Sequence, residues 1–177
     1  MVNKSSTMCM LPWLHSYVTP DGNVYPCCTV DLETPLDNIQ TSDTTLKEIV
    51  KNNKQLAEIR RKMMNGEKPG GCYICWTNEE KGSHSFRRFA NDYFGQHEDY
   101  YLEHTNNDGT LDIYEPRYVD IRFSNICNFK CRQCGPLFSS TWAKEKKVNF
   151  DPNEQIYQVA DPSGKVMQEV LDHIDTV

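Results

Sequence analysis

The chain has eight cysteines in 177 residues, and these are the side chains best able to do chemistry. Cys127, Cys131 and Cys134 form a C-x3-C-x2-C run within Asn125-Ile126-Cys127-Asn128-Phe129-Lys130-Cys131-Arg132-Gln133-Cys134-Gly135-Pro136. Three closely spaced thiolates can hold three irons of a cubane cluster and leave the fourth iron free for a non-protein ligand. The spacing differs from a zinc site made of paired C-x2-C hooks, which needs a second matched hook nearby. Three buried cysteines in a core turn are the plainer alternative. Lys130 and Arg132 supply positive charge that favours the thiolates needed for ligation.

A second set lies upstream. Cys9, Gly22 and Cys27 have the form C-x12-G-x4-C, and Cys72-x2-Cys75 follows. A hairpin would bring Cys9 and Cys27 together, and the C-x2-C turn would close a site of four thiolates. Four thiolates suit either a structural zinc or an iron–sulfur cubane. Cys28 is then the spare cysteine, able to exchange roles with Cys27. The five histidines show no ligand spacing. Trp13, Trp76 and Trp142 read as packing residues, and Glu79 and Glu80 as helix-start charges. No catalytic side chain is assigned.

Several elements must position these residues. Strands over 14–18 and 23–25 flank Pro20-Asp21-Gly22, whose proline and glycine suit a tight turn. Residues 29–43 read as loop. Thr45-Leu46-Lys47-Glu48 has capping-box spacing. The apolar pattern from Leu46 to Met63 predicts one or two helices, broken near Asn52-Asn53. A further helix is predicted over 79–94, with Phe86, Phe89, Ala90 and Tyr93 on a core-facing stripe and Arg87 and Arg88 pointing away. Residues 95–116 are polar and turn-rich, with Asn106-Asn107-Asp108-Gly109 as the strongest turn signal. A strand over 118–123, the cysteine loop and a helix over 137–147 then make one βα unit. Residues 149–162 are again polar, and 165–174 predict a last helix.

Composition excludes several classes. Charged residues make up 25% and hydrophobic residues 38%, as in ordinary globular proteins. The net charge is -6 with no basic stripe, which disfavours a nucleic-acid partner. No apolar run approaches the roughly 20 residues that cross a bilayer, and the N-terminus lacks a signal peptide's apolar core. The expectation is a cytoplasmic protein without membrane association, whose cysteines serve metal or redox chemistry rather than disulfides.

The run at Cys127, Cys131 and Cys134 resembles the cluster motif of the radical S-adenosylmethionine (SAM) superfamily. That resemblance implies a [4Fe-4S] cluster on these three cysteines, with the amine and carboxylate of SAM chelating the fourth iron. Reductive cleavage of SAM would give a 5′-deoxyadenosyl radical that abstracts a substrate hydrogen. The family usually places an aromatic or bulky apolar residue just before the third cysteine; Gln133 stands there.

The upstream set at Cys9, Cys27, Cys72 and Cys75 resembles the auxiliary-cluster region called twitch, a shortened relative of the SPASM domain. The resemblance implies a second [4Fe-4S] cluster, with zinc as the alternative. The fold class expected is α/β: an α+β cysteine-rich region, then the first βα unit of a partial TIM-like barrel. The divisions are 1–95 for the auxiliary region, 96–116 for a linker and 117–177 for the start of the barrel. A complete eightfold barrel takes roughly 200–250 residues, so the barrel is expected to be truncated. No Gly-Gly-Glu-Pro-like loop, which binds the SAM amine in the family, is present. The partners implied are an electron donor such as flavodoxin or ferredoxin and a substrate, with a peptide or protein preferred. The rival reading is a non-catalytic zinc- or iron–sulfur-binding module for electron transfer or scaffolding.

Overall fold

The hairpin forms where its turn chemistry puts it. β1 (His15–Val18) and β2 (Asn23–Tyr25) pair antiparallel, Tyr17 opposite Tyr25 and Val18 opposite Val24. Gly22 closes the turn at φ 83°, a conformation open to glycine and costly for a residue with a Cβ. Thr19 Oγ1 and Asn23 Nδ2 both donate to the Asp21 carboxylate, which stiffens the turn from within. The computed structural model describes residues 6–146 and 159–174.

The sheet extends on both sides of the hairpin. β3 (Asp37–Asn38), a short strand inside the stretch expected as loop, pairs antiparallel with β2. β4 (Tyr118–Ile121) pairs parallel with β1, from His15 opposite Tyr118 to Val18 opposite Ile121. The strand order is β3-β2-β1-β4. β1 is thus central and buried at all four positions. Its junction with β4 is reinforced by the ring of His15, which stacks on Tyr118 at 4.1 Å and places Nδ1 2.8 Å from the Tyr118 carbonyl.

A short helix absent from the sequence reading, α1 (Leu11–Leu14), precedes β1 and is wholly buried, with a proline in its first turn. α2 (Leu46–Asn52) starts on the capping box of Thr45 and Glu48. It stops at Asn53, whose extended backbone ends one helix while its side chain accepts from Gln55 N and Leu56 N to start α3 (Lys54–Met64). The core gathers Trp13, Leu14, Val18 and Val24 with Leu46, Ile49, Leu56 and Met63. Arg60 is also fully buried there, donating to the carbonyls of Pro12, Val50 and Gly109.

The single helix expected over 79–94 is two. α4 (Tyr73–Glu80) ends before Gly82, whose φ of 72° breaks the helix, and Ser85 caps α5 (Phe86–Phe94) by accepting from Arg88 N. Glu79 therefore lies at the end of a helix rather than the start. The aromatic stripe of α5 also differs from expectation. Ala90 is buried, but Phe89 and Tyr93 are 49% and 64% exposed, because amphipathic spacing marks an apolar face without supplying a surface to cover it.

Within 96–116 the chain forms α6 (Glu98–Glu103) and inserts Tyr101, Leu111 and Tyr114 into the core. Turn residues at 106–109 mask these apolar anchors in the sequence. After β4 and the cysteine loop comes α7 (Ser140–Glu145), shorter than the helix expected over 137–147; residues 136–138 are turn, and Lys147 lies outside the described residues. α8 (Lys165–Ile174) has the predicted bounds. Most of the polar stretch 149–162 lies outside the described residues. The result is a mixed α/β fold with one small four-stranded sheet. Among the described residues no helix is long and apolar enough to cross a membrane.

Candidate metal centre

Three separate parts of the chain deliver four cysteines to one cavity. Cys9, Cys27, Cys72 and Cys75 line an empty space of about 400 Å³, part of it open to solvent. Leu11, Pro26, Val30 and Ile59 supply apolar wall, and Thr29 and Arg87 supply polar wall. Cys9 enters just before α1, and Cys27 just after β2. Antiparallel pairing of β1 and β2 brings those two positions to the same end of the hairpin. Cys72 ends a 3₁₀ turn over Gly70–Cys72, and Cys75 sits in the first turn of α4. Gly71 makes that approach possible: a Cβ there would lie 2.6 Å from the Asp31 carbonyl oxygen, and Asp31 N donates to the Gly71 carbonyl.

The electrostatics of the four sulfurs follow from burial. Burial pushes the Cys9 thiol well above its ordinary value, and the charges of Cys27, Cys72 and Cys75 act in the same direction. Burial, followed by the charges of Cys27 and Cys75, pushes Cys72 up to about 12, although Arg87 opposes this. Cys27 is raised by burial and partly relieved by Thr29, whose Oγ1 lies 3.5 Å from Cys27 Sγ and 3.9 Å from Cys75 Sγ. Thiolates confined in such a wall need a positive centre to offset their charge, and a bound metal supplies it while displacing the thiol protons. A cysteine-only donor set on an apolar cavity fits iron–sulfur or zinc chemistry. All eight cysteines are free, and Cys28 is exposed and does not line the cavity.

The second set has another construction. Cys127, Cys131 and Cys134 occupy the loop between β4 and α7, with Cys131 exposed and the other two half-buried. The start of α7 holds this loop. Ser140 N donates to the Asn125 carbonyl at 2.7 Å, and Thr141 Oγ1 donates to the Cys127 carbonyl. Ser139 Oγ donates to the Phe129 carbonyl, and Trp142 Nε1 donates to the Cys131 carbonyl at 3.0 Å. Lys130 pairs with Glu145 across the loop. Among the described residues, no group of three or more histidine, cysteine or acidic side chains is already converged as a single-ion site.

The SPASM family, an iron-sulfur cluster-binding domain, matches residues 9–76. Cys9, Cys27, Cys72 and Cys75 all fall inside that stretch. No curated protein and no solved structure matches the chain. The part of the chain that carries the four cavity cysteines is thus similar to a domain that binds an iron–sulfur cluster.

Sequence reasoning missed three residues around the cavity. Arg87, expected to face away, is 12% exposed in its side chain and pairs with Glu79, which is 10% exposed. Asn91, one turn later on α5, donates to the Met8 carbonyl and accepts from Met10 N, so it brackets Cys9. The available signal was Lys81-Gly82-Ser83 with Ser85 beyond it. That cluster marks a helix break, which folds α5 back toward the N-terminus.

Proposed function

We propose that the chain is an iron–sulfur protein of the radical SAM class with an auxiliary cluster near its N-terminus. The observation that carries this reading is the convergence of Cys9, Cys27, Cys72 and Cys75 on one cavity inside residues similar to an iron–sulfur cluster-binding domain. These four would hold one [4Fe-4S] cluster. Cys127, Cys131 and Cys134 would hold a second, with its fourth iron open to SAM. When bound and reduced, the cluster held by Cys127, Cys131 and Cys134 would supply the electron for reductive cleavage of SAM to methionine and a 5′-deoxyadenosyl radical able to remove hydrogen from a substrate.

The chain's own residues present and shield the groups. The apolar wall around Cys9 limits water, and the α7 contacts hold the cysteine loop through the carbonyls of Cys127 and Cys131. Residues 1–95 form the auxiliary region in this reading, 96–116 connect it, and 117–177 begin the SAM-binding unit. A reduced flavodoxin or ferredoxin would be the electron source, and a peptide or protein the substrate.

Anaerobic reconstitution with iron and sulfide tests the proposal. The expected result is about eight irons per chain, the content of two cubanes. Cys72→Ser and Cys131→Ala should each remove about half, and SAM should perturb the electron paramagnetic resonance of the cluster that survives Cys72→Ser. Stoichiometric zinc in the N-terminal cavity would overturn the auxiliary cluster. An iron count unchanged by Cys131→Ala would overturn the SAM-binding one.

A further inference from the structure

α5 lies beyond the matched residues 9–76, yet it forms part of the cavity. Arg87 lines it, and among the described residues that do so it is the one cation, with no acid among them. Its guanidinium is fixed on several sides. Nη2 and Nε donate to the Glu79 carboxylate, Nη1 donates to the Met8 carbonyl at 2.7 Å and the Ser6 carbonyl at 3.1 Å, and the group lies 4.3 Å from the centre of the Trp76 ring. Met8 adjoins Cys9, and Trp76 adjoins Cys75. Glu79, the partner carboxylate, does not line the cavity. The pair therefore sets Arg87 at the cavity wall, where its charge reaches Cys72, and Glu79 off that wall.

Resting on the cluster reading above, we propose that the Arg87–Glu79 pair sets the reduction potential of the N-terminal cluster, Arg87 raising it and Glu79 restraining that effect. Reduction by one electron adds one negative charge to the centre. A cation at the wall stabilises the reduced form more than the oxidised form, and net charge and neighbouring groups are among the quantities that fix such potentials. Arg87 is a positioning residue as well, because it shares the Met8 carbonyl with Asn91. The two roles separate by sign: loss of positioning perturbs the site whichever partner is changed, whereas loss of charge moves the potential in opposite directions for the two partners.

The experiment uses the full chain carrying Cys131→Ala, reconstituted anaerobically so that the N-terminal cluster is the one titrated. Iron and sulfide are counted first, and the midpoint potential is then read by poised spectroscopy. Arg87→Met should lower the reduced-to-oxidised ratio at a fixed potential by about tenfold, which is about 59 mV for a one-electron couple. Arg87→Lys should restore most of the ratio, and Glu79→Gln should raise it. Loaded clusters whose potentials do not move, or move in the same direction in Arg87→Met and Glu79→Gln, overturn the proposal. If Arg87→Met does not load, the sign of the Glu79→Gln shift decides. Failure of the parent protein to take up iron and sulfide is a different result, and it defeats the cluster reading itself.

Discussion

The two cysteine sets solve one chemical problem in opposite ways. The first takes Cys9, Cys27, Cys72 and Cys75 from three parts of the chain spread over residues 9–75 and closes them around an apolar cavity. The second takes Cys127, Cys131 and Cys134 from eight consecutive residues on a partly exposed loop. The first site exists only when the hairpin, α3 and α4 are packed together. The second depends on β4 and on a few hydrogen bonds from α7. A site assembled by tertiary packing inherits the stability of the core, whereas a site carried by a loop opens with local fluctuations.

The largest test of that contrast is a pair of tryptophans. Trp13→Ala should cost about 3–5 kcal/mol in denaturant unfolding, because a fully buried indole in the core is deleted. Its Nε1 also donates to Thr105 Oγ1, and that hydrogen bond goes with it. Trp142→Ala removes one hydrogen bond to the cysteine loop and should cost about 1 kcal/mol. Equal losses would erase the distinction between the two regions.

Alkaline pH separates the sites next. The folded thiol of Cys72 titrates near 12 against an ordinary value of 9.0, so between those values the native metal-free chain keeps a proton that the unfolded chain releases. Stability from this group is complete below pH 9 and is lost as pH rises toward 12. The urea midpoint of the metal-free protein should therefore fall across that window, and less steeply in Cys72→Ser. Metal loading runs the other way: it displaces these protons, so it should weaken as pH falls. A metal-free midpoint that stays level across the window would contradict the burial assigned to the four thiols.

Labelling of native metal-free protein by an aromatic disulfide reagent gives a third comparison. Cys28 and Cys131 are exposed and should react at once, whereas Cys9 and Cys75 are buried and should wait for unfolding. Peptide mapping of the first thiols modified checks this order. The most local effect is expected from Ser139→Ala, which removes the cap of α7 and the hydroxyl on the Phe129 carbonyl. About 1 kcal/mol should be lost. It should appear as faster amide exchange over 127–134, with little change across the hairpin.

What could be read from the sequence was local. Pro20-Asp21-Gly22 and Asn53 carry their own turn and cap chemistry, so the hairpin and the α2–α3 break were visible residue by residue. The cysteine spacings were equally plain. The parallel pairing of β4 with β1 was not, because it joins His15 to Tyr118 with no local sign of partnership. Nor does anything local mark Arg60 for burial, since the carbonyls it donates to, those of Pro12, Val50 and Gly109, come from other parts of the chain. Arg87 was misread for a related reason: an unbroken helix over 79–94 turns it outward, and the break at Gly82 turns it in.

The β1–β4 ladder has a consequence for how the polypeptide could be divided. Four strand pairs, flanked by hydrogen bonds from Arg117 N to the Leu14 carbonyl and from Arg122 N to the Val18 carbonyl, join the two cysteine-bearing regions without using the covalent connection between them. A single protease nick at the exposed Asn107–Asp108 bond would therefore leave two fragments that travel together on gel filtration and separate only in denaturant. The halves behave as complementary pieces of one sheet, and each carries the other's missing edge.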